Sequence, residues 1–154
     1  MSVELLKRLE RADIAALSSP YVDRGVKQDC WEIQQVEIDG RHLRARVRMT
    51  SFFVSPTDPA GFHLTIFSTQ EFLAQLANIY LHVAAGFDVK CRETWMRECS
   101  ITSRKVIRDP ENIRVELDIH GLRQVGDALV GTGEGRVFDD QGGLFTARLK
   151  GLLR

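Results

Sequence analysis

The stretch from Ser68 to Gly86 constrains this chain more than any other part of it. Phe72, Leu73, Leu76, Ala77, Ile79, Leu81, Val83, Ala84 and Ala85 fall round nearly the whole circumference of a helix of about five turns. Such a cylinder must be wrapped by other elements on most sides. Its exceptions are Glu71, Gln75, Asn78 and His82, which recur at intervals of four, three and four and so form one polar line. A buried helix with one polar line has something polar to face.

The wrapping material is legible on both sides of the helix. Leu43, Ala45, Val47 and Met49 alternate with Arg44, Arg46 and Arg48, and Asp39-Gly40 is a two-residue hairpin turn, so two antiparallel strands precede it. Pro56, Pro59 and Gly61 break the chain between that hairpin and the helix. Beyond Gly86, Ile113, Val115, Leu117 and Ile119, then Phe145, Ala147 and Leu149, alternate with polar residues, which predicts about four more strands. At the N-terminus Leu5, Leu6, Leu9, Ala12, Ala16 and Leu17 predict an amphipathic helix over 3–17, closed by Pro20.

Connections of hairpin length and the lack of a second long helical block exclude parallel βαβ units. The expectation is an α+β fold, one domain over 1–154, with an antiparallel sheet around a central helix at 68–86. Gly131, Gly133 and Gly135 share one strand face, which predicts a close approach of the helix to the sheet there. A phosphate-binding loop is the competing account of these glycines, but the GxGxxG spacing and the following helix are both missing.

Lys plus Arg equals Asp plus Glu at 21 each, so the chain lacks the positive excess that binds nucleic acid. The cysteines Cys30, Cys91 and Cys99 form no CxxC and no zinc spacing, which predicts reduced thiols, no metal site and a cytoplasmic setting. Glu4, Lys7, Arg8, Glu10, Arg11 and Asp13 interrupt the apolar core a signal peptide needs, and no apolar run reaches membrane-spanning length.

Glu71 is the leading candidate for chemistry. Partial burial raises a carboxyl's pKa toward working pH and the helix dipole lowers it, so a base and a water-binding group are both open. Ser68-Thr69-Gln70-Glu71 also matches a capping box, in which Ser68 caps the helix and Glu71 reaches back to the Ser68 amide. His82 reads as a hydrogen-bonded interior histidine, and His63 lies nearer the expected site. No Ser-His-Asp series or GxSxG elbow offers another nucleophile.

This layout, from Asp29 to Leu153, resembles the hotdog superfamily, whose members wrap a long helix in an antiparallel sheet and mostly handle acyl-CoA or acyl-carrier-protein thioesters. Glu71-Phe-Leu-Ala-Gln75 looks like the helix of FabA/FabZ-type 3-hydroxyacyl-carrier-protein dehydratases, where Gln follows an acidic residue four positions on. Their catalytic histidine precedes the acid in a Pro/Gly-rich stretch; Thr57 stands at that position here, and His63 lies closer. Pro20-Tyr21, Ser68-Thr69 with Glu71, and Ser103-Arg104-Lys105 resemble FcoT-like acyl thioesterases.

By that resemblance the chain is an acyl thioesterase with Glu71 as base or nucleophile and Ser68, Gln75 and His63 assisting. Asn78, Arg104, Lys105 and Arg108 would meet the CoA or phosphopantetheine, which belongs to the substrate, so no separate cofactor is implied. A dehydratase or enoyl-thioester lyase of fatty acid or polyketide metabolism is the second expectation, and a non-catalytic acyl-binding or dimerisation module the third. The family also implies a homodimer or a dimer of dimers.

Overall fold

The computed structural model describes residues 10–19, 22–23 and 26–154. A short helix α1 (Arg11–Leu17) is followed by a two-stranded ribbon of β1 (Val22–Asp23) and β2 (Val26–Lys27), then by β3 (Cys30–Asp39) and β4 (His42–Ser51). The central helix α2 (Ile66–Ala84) leads to β5 (Thr94–Lys105), β6 (Ile113–Val125), β7 (Ala128–Phe138) and β8 (Leu144–Leu153). Of the helix expected over 3–17, residues 3–9 lie outside the described residues. No helix among the described residues is long and apolar enough to cross a membrane.

The six long strands form one antiparallel sheet in the order β3-β4-β6-β7-β8-β5. Three of its pairs are hairpins, including β3–β4, closed at Asp39↔His42 over Gly40, whose φ of 57° is the left-handed turn conformation. β5 instead crosses to the far edge and pairs with β8, because α2 intervenes and carries the chain over one face.

Period-two alternation decides which face that is. Leu43, Ala45, Val47 and Met49 of β4, Ile113, Val115 and Leu117 of β6, and Phe145, Ala147 and Leu149 of β8 are buried together against α2. Phe72, Leu73 and Leu76 of the helix are fully buried in return, each worth about 1.5–3 kcal/mol of stabilisation. The opposite sheet face is a charged lattice, with Arg48 paired to Glu32, Arg136 to Glu116 and Arg148 to Glu134.

The helix differs from the sequence expectation in two respects. It runs over Ile66–Ala84, two residues earlier at each end than 68–86, and Thr65 is its N-cap, accepting the Ser68 amide at 3.2 Å. It is also covered on one side only: Ile66, Phe67 and Val83 are 43%, 59% and 50% exposed. Gly86, at φ 80°, ends it with Gly86 N–H donating to Val83 O.

The glycines of β7 divide by role. A β-carbon at Gly131 would meet Leu81 of α2 at 3.0 Å, the close helix approach that was expected. At Gly133 and Gly135 it would collide first with backbone oxygens of β6, at 2.9 Å from Asp118 O and 2.3 Å from Glu116 O. Those two glycines serve strand packing, and β7 runs through all three with no helix after it.

Candidate active site

Where α2 meets β5, a groove of about 420 Å³ opens along the flank of the helix, lined among others by Trp31, Glu71, Gln75, Asn78, Thr94 and Met96. That volume lies in the range of small-molecule sites. The helical spacing of four and three sets Glu71, Gln75 and Asn78 on one line, and the chain's return along β5 supplies the opposite wall.

Glu71 stands at one end of the groove, more than a turn inside the helix, beyond the first-turn amides. Its Oε2 receives Trp31 Nε1 at 2.8 Å and a salt bridge from Lys27, while Oε1 has no partner among the described residues. Burial pushes the carboxyl pKa up, but the hydrogen bonds from Lys27 and Trp31 and the Lys27 charge outweigh it, so the net pKa lies below the ordinary glutamate value. The group is therefore a carboxylate at neutral pH. Trp31 is held for this task by edge-on contact with Phe72, ring centroids 6.0 Å apart.

Further along, Thr94 Oγ1 donates to Asn78 Oδ1 at 2.6 Å, and Lys90 pairs with Glu93 at 2.7 Å on the groove wall. His82, last of the polar line, is buried and fully occupied. Its Nδ1–H donates to Asn78 O at 2.8 Å, and its Nε2 accepts Arg92 N–H at 3.4 Å. It locks the helix end to the turn after it.

No protein-family model matches the chain, and no curated protein matches it in sequence. Solved structures match it in shape. A mutant of the thioesterase PA1618 from Pseudomonas aeruginosa aligns with a TM-score of 0.55 over 81% of this chain and 80% of that one, at 14% identity. The dehydratase heterocomplex ApeI:P from Xenorhabdus doucetiae aligns at 0.58 over 79% and 82%, also at 14% identity. A hypothetical thioesterase from Streptococcus pneumoniae, solved with coenzyme A, aligns at 0.52 over 81% and 86%, at 11% identity. The chain has the hotdog fold.

This hotdog brings together three of the residues singled out in the sequence, Glu71, Gln75 and Asn78, and sets the others apart. Ser68 is fully buried, its hydroxyl donating to Asp29 at 3.4 Å and its amide to Thr65, so it does not line the groove. The capping box with Glu71 is absent because Thr65 takes the cap and Lys27 with Trp31 takes the carboxylate. His63 sits in the loop before the helix, with Nδ1 on Asp58 Oδ2 at 2.7 Å.

Arg108 is committed to the same loop: its Nη1 bonds Asp58 at 2.8 Å and the Gly61 and Phe62 carbonyls. Asp58 is drawn down to a pKa of about 2, chiefly by its hydrogen bond from Arg108. Arg104 and Lys105 are exposed at the far end of β5, roughly 33 Å along the strand from Thr94 at a strand rise of about 3.3 Å. Lys27, Trp31 and Thr94 carried no signal in the sequence. They reach the site through strand pairing across about forty residues and the return of β5, and neither leaves a local pattern.

Proposed function

We propose that this hotdog protein hydrolyses acyl thioesters of CoA or of an acyl carrier protein, with Glu71 as the general base. The observation that carries the reading is the Glu71 carboxylate: it lies at the end of a ligand-sized groove, is kept ionised by Lys27 and Trp31, and has one oxygen without a partner among the described residues. A carboxylate that is ionised at neutral pH is in the protonation state that can take a proton from water.

In this mechanism Glu71 removes a proton from water as the water oxygen adds to the thioester carbonyl carbon. The C–S bond then breaks, the thiolate leaves, and the proton held by Glu71 passes to the sulfur, giving a carboxylic acid and a free thiol. The developing oxyanion needs hydrogen-bond donors. The amides at the start of α2 are capped or more than a turn away, so the side chains of Gln75 and Asn78 are the better candidates. Thr94 occupies Asn78 Oδ1, which leaves the NH₂ end of that amide for substrate.

Dehydration is the weaker reading. It needs an acid and a base on one substrate, and the described residues lining the groove include no histidine, while the second carboxylate there, Glu93, is paired with Lys90. Hydrolysis also accords with two of the structural neighbours, one named a thioesterase and the other a hypothetical thioesterase.

A second copy of the chain belongs to this proposal. β5 is a 12-residue edge strand with no neighbour on its outer side among the described residues, and long bare edges invite pairing. Antiparallel pairing of two β5 strands would set Arg104 and Lys105 of one copy beside the groove of the other, where the phosphates of CoA require cations.

The test is thiol release. Wild-type protein incubated with acyl-CoA and acyl-carrier-protein substrates should release free thiol, and Glu71→Gln should lose at least about a hundredfold of that rate, the usual scale of a general base. Equal rates in the two proteins would remove Glu71 from the reaction.

A further inference from the structure

The face of the sheet turned away from α2 carries rows of side chains running across the strands, and the pairing register decides which of them meet. One row reads Glu37, Arg44, Glu116, Arg136 from β3 to β7, so carboxylate and guanidinium alternate. The adjacent row reads Gln35, Arg46, Arg114, Phe138. It sets two cations directly opposite one another with no carboxylate in the row.

Side chains so placed have β-carbons about 4.5–5.5 Å apart, and like charges at that separation repel. The neighbouring acids are already committed: Glu32 to Arg48, Glu116 to Arg136, and Asp140 to Arg114 and Asn112. Arg44 and Arg46 are exposed and have no hydrogen bond or ion pair among the described residues. Arg114 lies over the Phe138 ring, 4.6 Å from its centroid, and its Nε is buried with no hydrogen-bond partner among the described residues. Together with Gln35, Glu37 and Asn112, these three arginines line a hollow of about 220 Å³.

We infer that this hollow is a binding site for a small, hydroxylated phosphate monoester of sugar-phosphate size. A phosphate dianion between Arg46 and Arg114 replaces a repulsion with charge-assisted hydrogen bonds, and the guanidinium fork matches the spacing of its oxygens. Arg44, two residues along the same strand face, adds a third positive charge. Glu37 selects what the phosphate is attached to. Its Oε1 accepts Gln35 Nε2 at 2.8 Å, and its Oε2 has no partner among the described residues. A bare anion is repelled by this carboxylate, whereas a hydroxyl beside the phosphate donates to it. The hollow is also smaller than the roughly 300 Å³ at which ligand pockets usually begin, which suits a monosaccharide phosphate better than a nucleotide. The site and the Glu71 groove lie on opposite faces of the sheet, so this inference does not depend on the thioester reading.

Isothermal titration calorimetry of the full chain at fixed ionic strength, with ribose 5-phosphate, inorganic phosphate and ribose as ligands, tests the site. Ribose 5-phosphate should bind, inorganic phosphate should bind more weakly, and ribose should give no binding heat. Arg46→Gln removes one fork and should weaken ribose 5-phosphate at least about tenfold, the scale of a hydrogen bond to a charged group. The same substitution relieves the repulsion from Arg114, so without ligand the variant should unfold no earlier than wild type on heating. Earlier unfolding would overturn the premise that the two arginines oppose one another.

Arg148→Gln is the control, because Arg148 lies on the same sheet face, paired with Glu134, and its loss changes the net charge equally. It should leave the affinity unchanged. Glu37→Gln should tighten inorganic phosphate and so narrow the gap between the two phosphates. Absence of binding by wild type, or equal weakening by Arg46→Gln and Arg148→Gln, overturns the site. Inorganic phosphate binding wild type as tightly as ribose 5-phosphate overturns the selection by Glu37.

Discussion

Lys27 sets what Glu71 is able to do. Glutamate ordinarily titrates near 4.5, and in the fold the Lys27 and Trp31 hydrogen bonds carry it lower against the opposing effect of burial. A base with a depressed pKa is active above that pKa and loses activity as pH falls through it, so the acid limb of kcat/KM should lie below pH 4.5. Lys27→Met removes the charge and leaves the burial, so the acid limb should move to higher pH. An unmoved limb would show that another group titrates. Asp139 plays a structural role of the same kind: buried, it accepts the amides of Arg108, Asp109, Gln141 and Gly143 at 2.7–3.1 Å. Burial pushes its pKa up, and those four amides bring it below the ordinary 3.8. Asp139→Asn presents an NH₂ to two of these donors and should cost about 2–4 kcal/mol in urea unfolding. Because the folded pKa is depressed, the carboxylate's contribution is present above pH 3.8 and fades as pH falls through the folded value, so the gap to wild type should narrow there. At this scale the sequence pointed to Ser68-Thr-Gln-Glu71 as the cap. In the fold Thr65, three residues before Ser68, takes that place, and the Ser68 hydroxyl turns to Asp29 instead.

Among the elements, α2 and β7 show how far periodicity carries. Alternation located β4, β6 and β8, and apolar density located α2, because both report burial and burial is what packing requires. Density overstated how much of α2 is enclosed: Phe67 and Val83 remain exposed because a sheet curls over a helix from one side. In β7 the three glycines look alike in sequence, yet only the fold separates them. Gly135→Ala would bring a methyl within 2.3 Å of Glu116 O and 2.4 Å of the Leu117 side chain, forcing β6 and β7 apart. A loss of about 1–3 kcal/mol in chemical denaturation is expected, the usual cost of overpacking. Gly131→Ala, which meets side-chain ends alone, Leu81 at 3.0 Å and Leu122 at 3.8 Å, should cost less. Equal losses would mean that contact with α2 is what both glycines serve.

At the scale of the whole molecule, one copy leaves its groove short of cations. Lys90 is taken up by Glu93 and Arg108 by Asp58, and Arg104 and Lys105 sit at the wrong end of β5 for their own groove. The proposed pairing of two copies through β5 would resolve this, and the chain should then sediment at about twice its 17.4 kDa mass. Replacing Arg104 and Lys105 together with Glu should raise KM for acyl-CoA and leave KM for the corresponding acyl pantetheine, which lacks the nucleotide phosphates, unchanged. A monomer in sedimentation, or equal effects on both substrates, would end this account of the second copy.

Taken alone, the sequence determined the α+β hotdog layout, the line Glu71, Gln75, Asn78 and the interior fate of His82. These follow from periods of 3.6 and 2, which any chain must obey to bury its apolar residues. Tertiary structure decided what touches that line. Lys27 and Trp31 reach Glu71 from forty or more residues away, Thr94 holds Asn78 from β5, and His63 and Arg108 are drawn off to Asp58. Contacts of that range depend on the order in which strands pair, and strand order leaves no trace in the local spacing of residues.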